Sequence, residues 1–270
     1  MAFLHKYYTY FSNFCSDEET QKFVELLPEV FDTHGQLVHH GRNDVRLFEL
    51  PSGKRLAVKR FGKPKWLQLL GTMIFRKGKA HAAFFNTLRL RELGIQSPLP
   101  LAYSEVWSYG ALRHSFLVTE CTELTPLSTA FYLTEPFDKC LAVDFATFVA
   151  HLHGLGVFHH DLNQTNVLVD LEKRGIERFS LIDNNRITFF DCKKNVDETA
   201  VFENLTRFTG DYNLFDFVAD AYVAAARRPN SDAAKLKAQK RRHDHRWKLR
   251  KRITHPLRTL RQDHQKCKKE

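Results

Sequence analysis

The sequence predicts an α+β chain in which a short-stranded antiparallel sheet precedes a mainly helical region, closed by a basic tail. Three observations lead there. Alternating runs at 36–40, 45–50 and 55–61 follow one another across polar turns, helical spacing dominates from 138 onward, and the excess of positive charge lies wholly beyond residue 234. With 270 residues, 43% hydrophobic and 27% charged, the composition is that of a folded protein and excludes a low-complexity or collagenous chain. The length suits one large two-lobed domain plus an appendage.

The first element is a helix over 17–31, opened by Asp17, Glu18 and Glu19 and lined by Phe23, Leu26, Leu27 and Phe31; Pro28 is expected to end or kink it. Gln36–His40, Val45–Leu50 and Arg55–Phe61 then read as a three-stranded antiparallel meander, turned at Gly41-Arg42-Asn43-Asp44 and at Pro51-Ser52-Gly53. In the third strand the two-residue period puts Leu56, Val58 and Arg60 on one face and Ala57, Lys59 and Phe61 on the other. A helix over 80–93 stops at Gly94, a loop carries Pro98 and Pro100, and Arg113–Glu120 alternates as a strand. Leu141, Phe145, Phe148, Val149 and Leu152 mark one side of a helix over 138–155. Asn166–Val169 and Phe179–Ile182 form a hairpin around a charged turn, 202–208 and 214–226 read as helices, and 228–231 links them to the tail.

Charge and cysteine content narrow the surroundings. Of 41 Lys+Arg and 31 Asp+Glu, residues 235–270 hold 15 and 3, a net of +12, which leaves 26 and 28, or −2, for residues 1–234. Such a tail reads either as an electrostatic handle for a polyanion or as a solvated, partly frayed helix end. The five cysteines are scattered, with no Cys-x-x-Cys pair, so neither a disulfide framework nor a thiolate zinc site is expected and a reducing compartment fits. No stretch approaches the roughly 20 apolar residues of a bilayer span, and the first 17 residues lack an uninterrupted apolar core.

The chemistry concentrates in Phe158-His159-His160-Asp161-Leu162-Asn163-Gln164-Thr165-Asn166-Val167-Leu168-Val169 and in Leu181-Ile182-Asp183-Asn184. One carboxylate lies on a loop, an amide follows five residues later at a strand start, and a second carboxylate ends the next short apolar run. Phosphoryl transfer needs such a set: a carboxylate to orient a hydroxyl and take its proton, and an Asn with an Asp to hold magnesium on the phosphates. Lys59, on its distant strand, completes a charge clamp.

These residues resemble the protein-kinase-like fold, and more narrowly the lipopolysaccharide kinase (Kdo/WaaP) family. Besides Asp161–Asn166, the resemblance is carried by Gly41-Arg42-Asn43, Val58-Lys59-Arg60-Phe61, Gly94 with Pro98 and Pro100, Leu181-Ile182-Asp183-Asn184-Asn185-Arg186, and Asn204-Leu205-x-Arg207, over roughly residues 35–226. It implies a bilobal α+β fold: a leading segment at 1–19, a β-rich N-lobe at 20–120, a mainly helical C-lobe at 121–230 and an amphipathic tail at 231–270. It implies Asp161 as catalytic base, Asn166 and Asp183 as magnesium ligands, Lys59 on the phosphates of ATP, Ala57 beside adenine, and Gly41 in the phosphate-covering turn. Phe116–Cys121 takes the place of the strand leading into the interlobe hinge, with Glu120 on the nucleotide side. Asn163, where protein kinases usually carry lysine, points to a sugar or small-molecule acceptor. The implied reaction is ATP-dependent phosphorylation of a Kdo or heptose hydroxyl of the lipid A-linked core saccharide, at the cytoplasmic face of the inner membrane.

One departure from the pattern bears on this. Kinase-like folds usually pair the strand lysine with a glutamate on the following helix, yet residues 60–91 contain no Asp or Glu. Either another acid supports Lys59, or the lysine is held differently, or catalysis is weakened, which leaves a nucleotide-binding pseudokinase or interaction module as the second reading; a kinase acting on another small molecule or on protein is the third. His159 is expected to brace the loop by a hydrogen bond rather than react. Lys63–Lys79, an apolar run bracketed by bases, reads either as a packed lobe helix or as an interfacial element on anionic lipid. The tail, with Trp247, Leu249, Ile253, Leu257 and Leu260 among its bases and Pro256 interrupting any long helix, favours a peripheral membrane contact over nucleic acid.

Overall fold

The computed structural model describes residues 5–62, 78–109, 111–190 and 198–266, with residues 5 and 251–266 described by their backbone. Those residues divide into two compact units: 1–130 with 159–161 and 165–189, and 131–158 with 162–164 and 190–270. The apolar decad of the Lys63–Lys79 run, Cys192 and Cys267 lie outside the described residues.

The first unit is built on a six-stranded antiparallel sheet of order β1-β5-β6-β4-β3-β2. Its strands are β1 (His5–Phe11), β2 (Gln36–His39), β3 (Asp44–Glu49), β4 (Arg55–Arg60), β5 (Pro100–Ser108) and β6 (Ala111–Glu120). The expected meander is β2-β3-β4. Two strands, β1 and β5, were not legible in the sequence. β5 is almost wholly buried, its Glu105 included, so the two-residue alternation that betrays a half-exposed strand is absent. β1, paired along its length with β5, is an edge strand whose Tyr7, Tyr8 and Tyr10 are exposed.

Helix α1 (Glu18–Val30) lies on one face of this sheet. Asp17 caps it, its Oδ1 accepting from the Thr20 N–H at 2.8 Å, and the Thr20 and Lys54 donors hold that carboxyl below the usual range. Val24, Leu27 and Phe31 pack with Leu56, Val58, Leu101, Phe116 and Val118 into a closed core. Leu56 and Val58 are therefore the inward face of β4, as their alternation predicts. Pro28 does not end α1, which runs on to Val30. A proline inside a helix removes one N–H bond but leaves the flanking ladder to continue, and the Phe31 N–H still reaches the Leu27 carbonyl at 3.0 Å. On the opposite side of the sheet, α2 (Lys79–Glu92) sets Ala80 and Ala83 against Phe61, Tyr103 and Leu117.

Two short β7 residues (Thr125–Pro126) and a one-turn helix, α3 (Leu127–Ala130), complete the chain up to 130; α4 (Lys139–Gly154) follows. β8 (Val157–His159) leads to the predicted hairpin of β9 (Val167–Val169) and β10 (Phe179–Leu181), antiparallel with Val167 opposite Leu181. β11 (Ile187–Phe189) comes after a short 3-10 turn, Asn184–Arg186.

In the second unit, α4 buries the predicted Leu141, Phe145, Phe148, Val149 and Leu152. α5 (Glu198–Leu205) and α6 (Tyr212–Ala225) follow, then α7 (Ser231–Lys266). Phe145 stacks on Phe208 at 4.6 Å, with Phe131 edge-on to both. α7 runs unbroken through Pro256, contrary to the expected interruption; a long helix tolerates the loss of one backbone bond where its neighbours on either side are kept. Nor is its start a loose arm. Leu236 is fully buried, Lys240 donates to the Thr206 carbonyl at 2.8 Å, and Arg241 grips Asp216 at 2.7 Å.

His153 is the polar centre of this unit. Its Nε2–H donates to Asn204 Oδ1 at 3.0 Å, its Nδ1 accepts from the Tyr222 hydroxyl at 2.9 Å, and its ring stacks on Phe158. Burial pushes the imidazole down to about 4 from 6.5, so the folded chain holds it neutral while the unfolded chain protonates it below 6.5. Stability from this group is therefore full above pH 6.5 and is lost as pH falls toward 4, by roughly 3 kcal/mol in total. Urea unfolding at pH 7 and pH 5 should show this loss, and His153→Gln, which keeps a donor and an acceptor, should flatten it; an unchanged pH slope would remove His153 as its source.

Candidate functional site

Hydrogen bonds draw the widely spaced residues of the first unit together at the ends of β4, β9 and β10. Because Val167 faces Leu181, Asn166 comes opposite Ile182, whose N–H donates to the Asn166 carbonyl at 3.0 Å. Asp183 is the next residue. Asn166 Nδ2 donates to the Asp161 carbonyl at 2.8 Å, which fixes the loop between them.

His159 supplies the remaining link. Its Nε2–H donates to the Ile182 carbonyl at 3.0 Å, and its Nδ1 accepts from the Asp161 N–H at 3.2 Å. With one nitrogen donating and the other accepting, the ring is a neutral imidazole, and burial pushes its proton affinity down. The expected bracing role is thus what the geometry shows. His160, whose purpose the sequence left open, fastens the same loop through its N–H to the Arg186 carbonyl at 2.9 Å and through Nε2 to Thr188 Oγ1 at 2.8 Å.

Lys59 reaches this group from β4. Its Nζ lies 2.8 Å from Asp183 Oδ1, both side chains about one-fifth exposed, and 5.2 Å from the centre of the Phe61 ring. Among the described residues, the acid that supports Lys59 is Asp183, which stands where a helix glutamate was sought. Asp183 adopts a left-handed conformation, φ 59° and ψ 42°, uncommon for a residue with a side chain. With its amide nitrogen turned toward the aspartate, Asn185 donates to the same Oδ1 at 2.7 Å.

The other expected residues lie elsewhere on the same sheet and its turns. Ala57 lies on β4 opposite Thr119, and Glu120 opposite Leu56, so the two are neighbours in the ladder. The Glu120 N–H donates to the Leu99 carbonyl at 3.0 Å, and its side chain is exposed. Gly41 sits in the β2–β3 turn, where its N–H and Arg60 both hold the Asp44 carboxyl below its usual range, Arg60 more strongly. Asn43 Oδ1 accepts from the Gly62 N–H at 3.1 Å and draws this turn over the end of β4.

Sequence reasoning quoted Asn184 within its motif but gave it no role. It is buried, and its amide nitrogen donates to Thr87 Oγ1 at 2.9 Å and Ser97 Oγ at 3.0 Å, while its carbonyl accepts from Asn86 at 2.7 Å. The turn carrying Asp183 is thereby stitched to α2 and to the loop before β5. The sequence offers no spacing rule that joins residues about a hundred positions apart.

An Asn amide oxygen and an Asp carboxylate are hard oxygen donors suited to magnesium, which commonly completes its shell with substrate phosphates. Among the described residues no group of three or more His, Cys, Asp or Glu is placed to hold a metal alone. Asn166 and Asp183 fit an ion shared with a nucleotide rather than a self-contained protein cage.

The lipopolysaccharide kinase (Kdo/WaaP) family model matches residues 72–212, just over half of the chain. Among solved structures, one titled WaaP in complex with acyl carrier protein is 20% identical, with a TM-score of 0.56, covering 88% of this chain and 98% of its own. A Rio2 kinase from Chaetomium thermophilum, solved with ADP/Mg2+-phosphoaspartate, is 14% identical at a TM-score of 0.45, covering 82% of this chain and 74% of its own. No curated protein matches in sequence.

Removing the Asn184 side-chain amide would leave the turn tied to α2 by the Asn86 bond alone, while Thr87 and Ser97 keep their own carbonyl partners. Asn184→Ala should cost about 1–3 kcal/mol, read as a lower urea midpoint with an unchanged slope. A midpoint equal to that of the parent would show that the turn is held by other contacts.

Proposed function

Because this chain belongs to the lipopolysaccharide kinase (Kdo/WaaP) family, we propose that it uses ATP to phosphorylate a Kdo or heptose hydroxyl of the lipid A-linked inner-core saccharide. It is a kinase with a protein-kinase-like α+β fold; the nucleotide, the acceptor sugar and the residue roles are the proposal. The observation that carries it is the convergence of Asp161, Asn166, Asp183 and Lys59 through one hydrogen-bonded frame.

In this reading the Asp161 carboxylate orients the acceptor hydroxyl and takes its proton as that oxygen bonds to the γ-phosphorus. The bond from the γ-phosphorus to the β–γ bridging oxygen breaks, and ADP leaves. Lys59 turns from Asp183 to the inner phosphates. Asn166 and Asp183 hold magnesium, which when bound neutralises charge on the phosphates. Ala57 leaves room for adenine, Glu120 supplies the hinge edge of the nucleotide site, and the Gly41 turn covers the phosphates. The functional lobes are 20–120 and 121–230.

The Lys59–Asp183 pair supports an active enzyme over a pseudokinase. The missing helix acid was the reason to doubt catalysis, and here the lysine is held by an acid that belongs to the catalytic group itself. With both side chains about one-fifth exposed, the pair stays open to solvent and can exchange for a magnesium-nucleotide that offers each partner a new ligand.

We place the enzyme on the cytoplasmic face of the inner membrane, held peripherally by the outer part of α7. Among the described residues no helix is long and apolar enough to cross a membrane. The inner turns of α7 spend their charges on the body, in the pairs Lys235–Glu198, Lys237–Asp220 and Arg241–Asp216. Trp247 and Leu249 farther along are exposed at 54% and 43% beside Arg246, Lys248 and Arg250, a pattern that fits anionic headgroups.

Asp161→Ala should reduce phosphate transfer to a defined core saccharide by about a thousandfold or more and leave magnesium-ATP affinity within a factor of two of the parent; unimpaired transfer would take Asp161 out of this role. Truncation after residue 245 spares the docked turns of α7 and removes Arg246, Trp247, Lys248, Leu249 and Arg250. It should lower co-sedimentation with phosphatidylglycerol vesicles at low salt without altering nucleotide binding, and equal sedimentation of both chains would count against the tail as the anchor.

A further inference from the structure

The surroundings of Lys59 hold more positive charge than the carboxylates there answer, and the surplus comes from three other elements. Phe61, whose ring lies under the Lys59 ammonium, is buried against Ala80 and Ala83 of α2. Lys79, the residue that opens α2, therefore stands beside the strand end that carries Lys59. Arg42 comes from the β2–β3 turn, whose carbonyl at Arg42 presses so closely on Gly62 that a Cβ there would collide with it. Arg186 ends the 3-10 turn begun beside Asp183, which Asn86 and Thr87 tie to α2. Arg42, Arg186 and the Lys59–Asp183 pair thus all lie within electrostatic reach of Lys79, four cations from four elements. Among the described residues only Lys59 of the four has an ion-pair partner.

Lys79 is the unexpected member. It is partly buried, and its ammonium is pushed below the ordinary lysine range first by burial, then by the charges of Arg42 and Arg186, and less by Lys59, with Asp183 opposing. Keeping like charges together at a half-buried position costs free energy that a polyanion would return. The helix end itself is not the attraction. The Ala80 N–H donates to Ser115 Oγ at 3.3 Å, and the Gly78 and His81 N–H groups donate to the buried Glu105 carboxylate. Those donors are spent on the protein. Their effect is to pin the first turn of α2 and so to position Lys79.

The helix that would ordinarily present an acid to the strand lysine here presents a second base. Asn163, in the loop position where a lysine is usual in protein kinases, brings no charge. We propose that Lys79, with Arg42 and Arg186, binds the terminal phosphate of the nucleoside triphosphate, leaving the inner phosphates to Lys59. This rests on the reading of the site as a magnesium-nucleotide site. The three spare cations match a terminal phosphate that carries close to two negative charges, and Arg42 lies in the turn assigned to cover the phosphates.

Isothermal titration with magnesium and either the non-hydrolysable triphosphate analogue AMP-PNP or ADP tests it on the full chain. Lys79→Ala should weaken AMP-PNP by about tenfold or more and change ADP by less than twofold, while Lys79→Arg restores most of the lost affinity. Arg186→Gln, at an exposed position, should show the same selectivity and serves where the alanine variant does not fold. Equal weakening of both ligands, or no weakening of either, overturns the assignment. So does unchanged nucleotide affinity joined to a raised KM for a phosphate-bearing acceptor, which would give the cations to the acceptor. If the parent chain binds neither nucleotide, the nucleotide reading itself fails; if it binds both and the variants match it, only the role of Lys79 falls.

Discussion

The ion pair of Lys59 with Asp183 is the contact on which the site is arranged. It joins the third strand of the meander to the turn after the β9–β10 hairpin, two segments more than a hundred residues apart, at 2.8 Å. Each partner is held in place by separate means. Lys59 is aimed by the strand alternation that buries Leu56 and Val58 beneath α1. Asp183 is aimed by a left-handed backbone that Asn184 secures from below. A pair so placed leaves the lysine charged and oriented without an acid on α2, and it keeps both groups near the positions from which each could turn to a phosphate or a metal.

The polar frame beneath the pair works by leaving few of its members with a choice. His159 has a donor on one nitrogen and an acceptor on the other, so its tautomer and ring plane are set. Asn166 spends its amide nitrogen on the Asp161 carbonyl, which keeps its oxygen side for a ligand. A functional group held by packing and by neighbouring hydrogen bonds needs little reorganisation when substrate arrives, which is where preorganised sites gain their rate. His153 does the same for the helices of the second unit, joining Asn204 and Tyr222 around a neutral ring.

Charge is distributed in two different ways in this chain. In α7 the inner bases are matched by acids of the body, and the exposed bases lie farther out with Trp247. Around Asp183 the bases are gathered and left largely unmatched. The first pattern fastens a helix. The second stores electrostatic free energy that an anion can release, and such unbalanced clusters are more common at functional sites than on ordinary surfaces.

Much of the fold was legible because local physics wrote it. The meander, the helices and the hairpin followed from periodicity and turn residues, and Asp161, Asn166, Asp183 and Lys59 from residue type and spacing. The strands β1 and β5 were not legible. A strand covered on both faces has no alternation, and an edge strand of tyrosines takes its identity from the neighbour it pairs with. Pro256 was misjudged, and Pro28 does not end its helix, for a related reason: the penalty of a proline is local, whereas helix continuity depends on the bonds and packing on either side.

By itself, the sequence determined which chemical groups are present and which short segments carry them, because backbone preference and hydrophobic period act within a few residues. Only the tertiary structure decided which acid holds Lys59, what anchors Asn184, and that Lys79 and Arg186 join the same cluster. Those are contacts between residues far apart in the chain. Their free energy comes from burial and charge at a place that exists only once the sheet, α2 and the hairpin have packed together.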